Sequence, residues 1–256
     1  MQKSEQGFTL IELLISVTIA LIISAAIFGI YANSAGSSAA MLKSSKLNQE
    51  LYSLMLVMSN DIRRAGYVAA PDPATADPDA YIEFFENPQK NPFSQDDTEL
   101  GLIDSYTTNG PIIENSADEA QCVLYTFDQN EDGILNKEEI FGFRLVDNVV
   151  EMRVGWDDYD PSTDTINKDC INGNWDSVTD DKLIKIQKLG FSRVESRCIN
   201  AADKTDCYVD DPAATETTVE TRQINIRLEG SLVNDPGVVA VIEQDVRVRN
   251  DRVKEH

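Results

Sequence analysis

The chain has 256 residues and carries 22 Lys and Arg against 44 Asp and Glu, which gives a formal net charge of −22. An acidic surface repels phosphates, so the composition argues against a nucleic-acid groove and against docking on anionic lipid headgroups. A hydrophobic fraction of 42% with 26% charged residues is typical of a globular protein, and the length allows one large domain or two small ones.

The first predicted element is an apolar helix near the amino terminus. Residues 8–31 form a run of 24 residues whose only charged side chain is Glu12. As a helix this run is roughly 36 Å long, which exceeds the bilayer core of about 30 Å. A conventional secretory signal has a shorter apolar part and ends in a small-x-small cleavage site. The run alone therefore predicts a plain membrane anchor.

A motif at the start of this run is more specific. The sequence GFTLIE at residues 7–12 resembles the prepilin peptidase site of type IV pilins and type II secretion pseudopilins. The resemblance implies that prepilin peptidase cuts after Gly7 and methylates the new amino terminus at Phe8. The leader, residues 1–7, contains Lys3 and Glu5 and is less basic than is usual in the family. Because cleavage removes one charge of each sign, the mature chain keeps the charge of −22.

Glu12 needs a partner in the membrane. A carboxylate in hydrocarbon costs at least about 2.5–3.5 kcal/mol. The resemblance implies that Glu12 forms a salt bridge with the amino group of Phe8, on its own chain or on a neighbour, and so guides the subunit into a filament. The alternative is that Glu12 lies near the interface and reaches water.

Helical periodicity resumes beyond the apolar run. Apolar residues recur at steps of three and four, with charged residues between them, so the sequence predicts one long helix over about 8–65 whose outer half packs on a globular domain. Gly66 is placed to end it. The apolar stripe comprises Leu47, Leu51, Leu54, Met55, Met58 and Ile62.

The rest of the chain favours strands. Residues 67–120 are irregular, with one strand-like stretch at 81–85, and short strand patterns follow from residue 122. The predicted fold class is α+β and pilin-like: a long N-terminal helix, half membrane-spanning and half amphipathic, packed on a mainly antiparallel β-sheet. The strand candidates are 122–127, 140–146, 149–156, 183–194, 222–228 and 238–248. The predicted segments are the leader (1–7), a transmembrane assembly helix (8–31), its amphipathic continuation (32–66) and an exported β-rich domain (67–256).

Three short runs narrow the family. Residues 61–67, DIRRAGY, resemble the D-x-R-x-A-G-Y run of PilW-type minor pilins. Residues 149–154 and 246–250 are similar to segments of the same family. Minor pseudopilins of the J type, from type II secretion, share the architecture and are the nearest competitor.

An acidic segment matches a calcium loop. Residues 128–139 fit the pattern D-x-[DN]-x-[DN]-G-x5-E without a mismatch, and calcium takes six to eight oxygen ligands. Both flanks favour strands, so the pattern predicts an isolated loop rather than a helix-flanked EF-hand. The alternative is an acidic hairpin connection. The candidate ligands are Asp128, Asn130, Asp132, the carbonyl of Ile134, Asn136 and Glu139.

The cysteine count points to disulfides. Four cysteines in a domain outside the inner membrane favour two bridges, and four allow three pairings. We favour the short local pair Cys198–Cys207, which leaves Cys122–Cys170. Zinc is disfavoured because the sequence has no C-x-x-C and its only histidine is His256.

No enzyme signature is present in the sequence. A single terminal histidine argues against a His-dependent triad, and neither a G-x-S-x-G nor a P-loop occurs. The resemblance implies a non-enzymatic minor pilin that primes or caps a type IV pilus and supports adhesion, twitching motility or DNA uptake. No cofactor is required on this interpretation, and Ca²⁺ is the one candidate.

The resemblance also implies partners and a location. The partners are other minor and major pilins, prepilin peptidase, the inner-membrane assembly platform and membrane lipid before assembly; direct nucleic-acid binding is not expected. The chain would span the inner membrane once with its domain in the periplasm, and then join the pilus at the cell surface. The alternatives are a minor pseudopilin of a type II secretion system and an uncleaved, membrane-anchored, calcium-dependent binding protein.

Overall fold

The computed structural model divides into two compact units, residues 1–46 and 47–256. The first holds the apolar part of the N-terminal helix, and the second holds the end of that helix and all the strands. The residues described are 9–72, 78–94, 101–103, 119–155, 170–171, 173–193, 196–207 and 212–256.

Helix α1 runs from Leu10 to Ile62, which confirms the long N-terminal helix. In the first unit its large apolar side chains are exposed, from Leu10 to Leu42. Within the described residues, α1 is the one helix long and apolar enough to cross a membrane.

In the second unit the predicted apolar stripe is the buried face of α1. All six of its residues, from Leu47 to Ile62, belong to the main core. The chain turns at Gly66, whose φ of +73° is the left-handed conformation that favours glycine. A Cβ there would lie 2.6 Å from Ser94 Oγ, and the Gly66 amide donates to the carbonyl of Thr126 at 2.8 Å. Glycine therefore ends the helix and ties it to the sheet.

Helix α2, Pro78–Glu86, replaces the strand expected at 81–85, so that prediction was wrong. Pro78 sits in the first helical position, where its missing N–H costs nothing. Beyond the helix, Lys90 pairs with Glu83 at 2.6 Å, and residues Pro88–Lys90 form a 3-10 turn. A short aromatic run has no periodicity strong enough to separate the two structures.

The strands form three antiparallel sheets, as the α+β prediction requires. The first has five strands in chain order, β1 (Gly101–Ile103), β2 (Cys122–Thr126), β3 (Ile140–Val146), β4 (Val149–Val154) and β5 (Trp175–Ser177). The second has the order β10-β9-β6, with β6 at Ile184–Ser192, β9 at Gln223–Leu232 and β10 at Asp235–Arg247. The third has the order β11-β8-β7, with β7 at Arg197–Asn200, β8 at Thr217–Thr221 and β11 at Arg252–Glu255.

The core lies between α1 and the first two sheets. Aromatic rings from β2, from β3 and from Phe127, the residue after β2, stack within it, and the ring centroids of Phe127 and Phe141 are 4.2 Å apart. Tyr125 is fully buried, and its hydroxyl donates to Asp61 Oδ2 at 2.7 Å. Burial of the Asp61 carboxyl raises its pKa against the opposing effects of Tyr125 and Arg64. This polar contact fixes the end of α1 over the aromatic layer.

Candidate functional site

The described part of the processing motif begins at Thr9, and Gly7 and Phe8 lie outside the described residues. Thr9 and Glu12 bond reciprocally across the start of α1. Glu12 Oε2 accepts from the Thr9 amide at 2.9 Å and from its hydroxyl at 2.8 Å, while the Glu12 amide donates to Thr9 Oγ1 at 3.4 Å. The arrangement satisfies amides that the first turn leaves without helical partners.

Thr9 belongs to the processing motif, but its role as the cap of α1 was not predicted from the sequence. The signal was present, because Thr9-Leu10-Ile11-Glu12 has the S/T-x-x-E spacing of a capping box. The same carboxylate thus starts the helix here and is the predicted partner of an amino terminus.

The end of α1 is held by the last turn of the chain. The side-chain amide of Asn250 donates to the carbonyls of Ala65 at 3.1 Å and Arg64 at 3.3 Å. The Arg249 amide donates to the Arg63 carbonyl at 3.0 Å. These bonds satisfy carbonyls that the helix leaves open. The runs at 61–67 and 246–250, which are distant in sequence, therefore meet in space.

The acidic loop lies between β2 and β3, where the sequence placed it. Its two end carboxylates, Asp128 and Glu139, are buried. Asp128 Oδ2 accepts from the amides of Ala69 and Gly133, both at 3.0 Å. Glu139 accepts from the amides of Gln129 at 2.8 Å and Asn136 at 2.9 Å, one on each oxygen. The end carboxylates hold the loop closed.

The middle of the loop is exposed and bonded to itself. Asp132 Oδ1 accepts from the Ile134 amide at 2.7 Å, and this bond lowers the pKa of the Asp132 carboxyl. Asn130 donates to Asp132 Oδ2 at 2.8 Å, and Asn136 donates to the Ile134 carbonyl at 2.9 Å. Among the described residues, no group of three or more His, Cys, Asp or Glu side chains is arranged to hold a metal. Calcium binding therefore stays a prediction.

Two disulfides use all four cysteines, in the pairing favoured from the sequence. They are Cys122–Cys170 and Cys198–Cys207, with Cα atoms 6.5 Å and 5.3 Å apart. Cys122 and Cys170 are buried in a small cluster of their own, against which Trp175 packs. The first bridge therefore ties β2 to the segment before β5.

A buried ion cluster joins the second and third sheets, and we call it the Glu220 cluster. Glu220 on β8 accepts a hydrogen bond at 2.6 Å from Nη2 of Arg193, which lies just beyond the end of β6. Glu220 also pairs with Nε of Arg252 on β11 at 3.2 Å. This cluster was not predicted from the sequence. Its signal is the alternation in β8, whose buried positions are Thr218 and Glu220.

Comparison with known proteins agrees with this architecture. A family model described as prepilin peptidase-dependent protein B matches residues 40–248, and the prokaryotic N-terminal methylation motif matches residues 2–28. No curated protein and no solved structure matches the chain. The family match covers more than half of the chain, and the methylation motif spans the predicted leader and the start of α1. The chain belongs to the family of prepilin peptidase-dependent protein B and is a pilin-like protein processed by prepilin peptidase.

Proposed function

We propose that this protein is a minor pilin that primes or caps a type IV pilus. The observation that carries the proposal is the N-terminal methylation motif over residues 2–28, placed at the start of a long apolar helix. The match over residues 40–248 supports a pilin-like globular part behind that helix. Pilin-type families are structural, so the role proposed is one of assembly and not of catalysis.

The proposed mechanism begins in the inner membrane. Prepilin peptidase removes residues 1–7 and methylates Phe8, while residues 8–31 hold the chain in the bilayer. Residues 67–256 face the periplasm and, after assembly, the cell surface, where they support adhesion, twitching motility or DNA uptake. The assembly platform then transfers the subunit into a filament, and Glu12 pairs with the amino terminus of a neighbouring pilin.

Deletion of the gene tests this proposal. We expect loss of surface pili with normal protein secretion, and return of pili when the wild-type gene is supplied. Sheared pili are quantified by immunoblot, and secretion by the amount of a secreted enzyme in the medium. Normal pili with defective secretion would instead identify a J-type pseudopilin. A purified protein whose intact mass still includes Met1, in a strain with active peptidase, would contradict both roles.

We propose further that the loop of residues 128–139 binds calcium, and its twelve-residue pattern supports the proposal. Millimolar CaCl₂ is expected to raise the unfolding temperature of the full chain in detergent. At about 100 times the Kd the gain is about 2.7 kcal/mol in the free energy of unfolding. Asp132→Ala should abolish the shift. The exposed position of Asp132 makes this change less disruptive than one at buried Asp128.

The matched control for calcium is Asp203→Ala. Asp203 also lies in an exposed loop, and its carboxylate also accepts from the amide two residues on, that of Thr205 at 3.0 Å. This variant should keep the calcium shift. Equal shifts in both variants, or no shift in the wild type, would remove the calcium proposal.

A further inference from the structure

A groove lies in the second unit between the segment that follows α1, the end of α2 and the acidic loop. Its volume is about 1020 Å³, which is at the upper end of the range for ligand sites and is large enough for a short peptide. It is lined by residues 68–72, by the end of α2 and the turn after it, and by residues 131–133 of the acidic loop. Residues 249–251 complete its lining.

The segment after α1 offers open backbone groups to this groove. The Asp128 amide donates to the carbonyl of Tyr67 at 2.9 Å, and the Ala69 amide donates to Asp128 Oδ2 at 3.0 Å. Bonds at every second residue are typical of an extended segment, whose intervening residues direct their amides and carbonyls to the other side. These residues are Val68 and Ala70, which line the groove. Within the part of the chain that the structure describes, their backbone amides and carbonyls form no hydrogen bond.

The ionisable side chains around the groove are mostly acidic. Five carboxylates line it against two cations, Lys90 and Arg249, and Lys90 is already paired with Glu83 at 2.6 Å. The Glu131 side chain is exposed and forms no hydrogen bond or ion pair with any residue that the structure describes. The groove therefore attracts a positively charged ligand. The carboxylates are those of Asp72, Glu83, Glu131, Asp132 and Asp251.

Two aromatic rings of α2 suit the same kind of ligand. Phe84 and Phe85 line the groove, and their ring centroids are 5.1 Å apart in an edge-on arrangement. Phe85 has 57% of its surface exposed. Lys and Arg side chains pack their apolar stems on such rings and bring their cationic ends over the ring faces.

We propose that this groove binds an extended, basic segment of a partner protein. The backbone of the segment pairs with Val68 and Ala70, which is recognition by strand addition, and a Lys or Arg side chain of the segment pairs with Glu131. The open backbone groups favour a peptide over a small cation, because a peptide presents donors and acceptors in alternation. The excess of acids favours a basic segment over an acidic one. The interaction goes beyond the minor-pilin role, and it does not depend on calcium, because Glu131 is not one of the candidate ligands.

Binding of the full chain in detergent to an array of random peptides tests the charge of the ligand. The peptides have about seven residues, which is roughly 23 Å when extended. The screening length is about 8 Å at physiological ionic strength, so under these conditions the bound peptides should be enriched in Lys and Arg through local contacts. Glu131→Lys is expected to weaken the binding of the strongest basic peptides about tenfold or more, because an attractive contact becomes repulsive.

Asp181→Lys is the matched control. Asp181 is also exposed, its side chain forms no hydrogen bond or ion pair within the described residues, and it does not line the groove. The two variants have the same net charge, so unspecific attraction of basic peptides to the acidic chain changes equally in both. Asp181→Lys should bind within about two-fold of the wild type. Equal weakening in the two variants overturns the proposal, and so does the absence of enrichment in Lys and Arg.

The backbone contact is tested separately. Ala70→Pro removes an amide that has no partner within the described chain and should weaken binding about five-fold, because one hydrogen bond to the peptide is lost. Ala70→Ser keeps the amide and should bind as the wild type does. Methylating the backbone amides of the strongest peptide gives the same readout on unchanged protein, so the test holds even if Ala70→Pro alters the fold. Full binding of the methylated peptide overturns strand addition, and neither result bears on the minor-pilin role, which gene deletion tests.

Discussion

Replacing Glu12 by glutamine is expected to leave leader cleavage intact and to remove the protein from surface filaments. Glutamine keeps the length of the side chain and an oxygen that accepts from Thr9, so α1 still begins at the same place. It removes the negative charge that would neutralise a neighbour's amino terminus. The substitution therefore tests the negative charge of Glu12 and leaves the helix cap with Thr9 in place.

The measurements separate processing from assembly. Intact mass should show a chain that starts at a methylated Phe8 in both the wild type and Glu12→Gln. The amount of this protein in the sheared pilus fraction should fall about tenfold or more, the factor that corresponds to 1.4 kcal/mol.

Two further variants separate the charge of Glu12 from its side-chain length and from the Thr9 cap. Glu12→Asp keeps the charge on a shorter side chain and should retain part of the incorporation. Thr9→Val removes the hydroxyl of the cap and keeps the charge, so it should assemble much better than Glu12→Gln. If Glu12→Gln incorporates as well as the wild type, the salt-bridge role is wrong, whatever the outcome for the pilus as a whole.

Truncating Glu220 is expected to produce a large loss of stability. The Glu220 side chain is 6% exposed, and its partners Arg193 and Arg252 are 3% and 14% exposed. Glu220→Ala removes the carboxylate from the buried Arg193 and from the partly buried Arg252, and removing one partner of a buried ion pair costs about 3–5 kcal/mol. Thermal or urea unfolding of the full chain in detergent measures the change.

A second Arg–Glu pair supplies the control for Glu220. Arg227 and Glu243 lie as close, at 2.7 Å, but their side chains are 35% and 52% exposed. Glu243→Ala should cost less than about 1 kcal/mol, because exposed pairs contribute little. Similar losses in the two variants would show that burial does not determine the effect.

The whole cluster can also be replaced. The triple variant Arg193→Met, Glu220→Leu, Arg252→Met removes all three charges and keeps apolar volume. We expect it to be far more stable than Glu220→Ala, because exchanging a complete buried ion cluster for apolar residues is often neutral or stabilising. A triple variant no more stable than the single one would mean that the cluster acts through packing.

Local patterns account for much of the structure that could be predicted. The stripe from Leu47 to Ile62 recurs at helical spacing, and it forms the buried face of α1 because one face of a helix must pack on something. The alternating run at Gln223–Leu228 is part of β9, because alternate residues of a strand lie on the same face and the apolar ones pack on the core. The strand predicted at 81–85 was wrong, because five residues are compatible with both the helical and the strand periodicity.

The position of the acidic loop was predicted from its local pattern, but its long-range hydrogen bonds were not. The sequence placed residues 128–139 between two strands, and Gly133 takes the left-handed turn, with φ of +73°. The pattern could not reveal that Asp128 also accepts from the amide of Ala69, a residue beyond the end of α1. That bond gives Asp128 a structural role whether or not calcium binds.

The sequence by itself determined the processing motif, the long N-terminal helix, the antiparallel character of the strands beyond that helix and the preferred cysteine pairing. Each of these is carried by residues close together in the chain or by a count. The tertiary structure alone decided that Glu220 is buried between two arginines, that Asn250 caps the end of α1, and that β10 lies at the edge of its sheet. These three features depend on strand order and on contacts between residues distant in sequence, and no local periodicity encodes which strand is left without a neighbour.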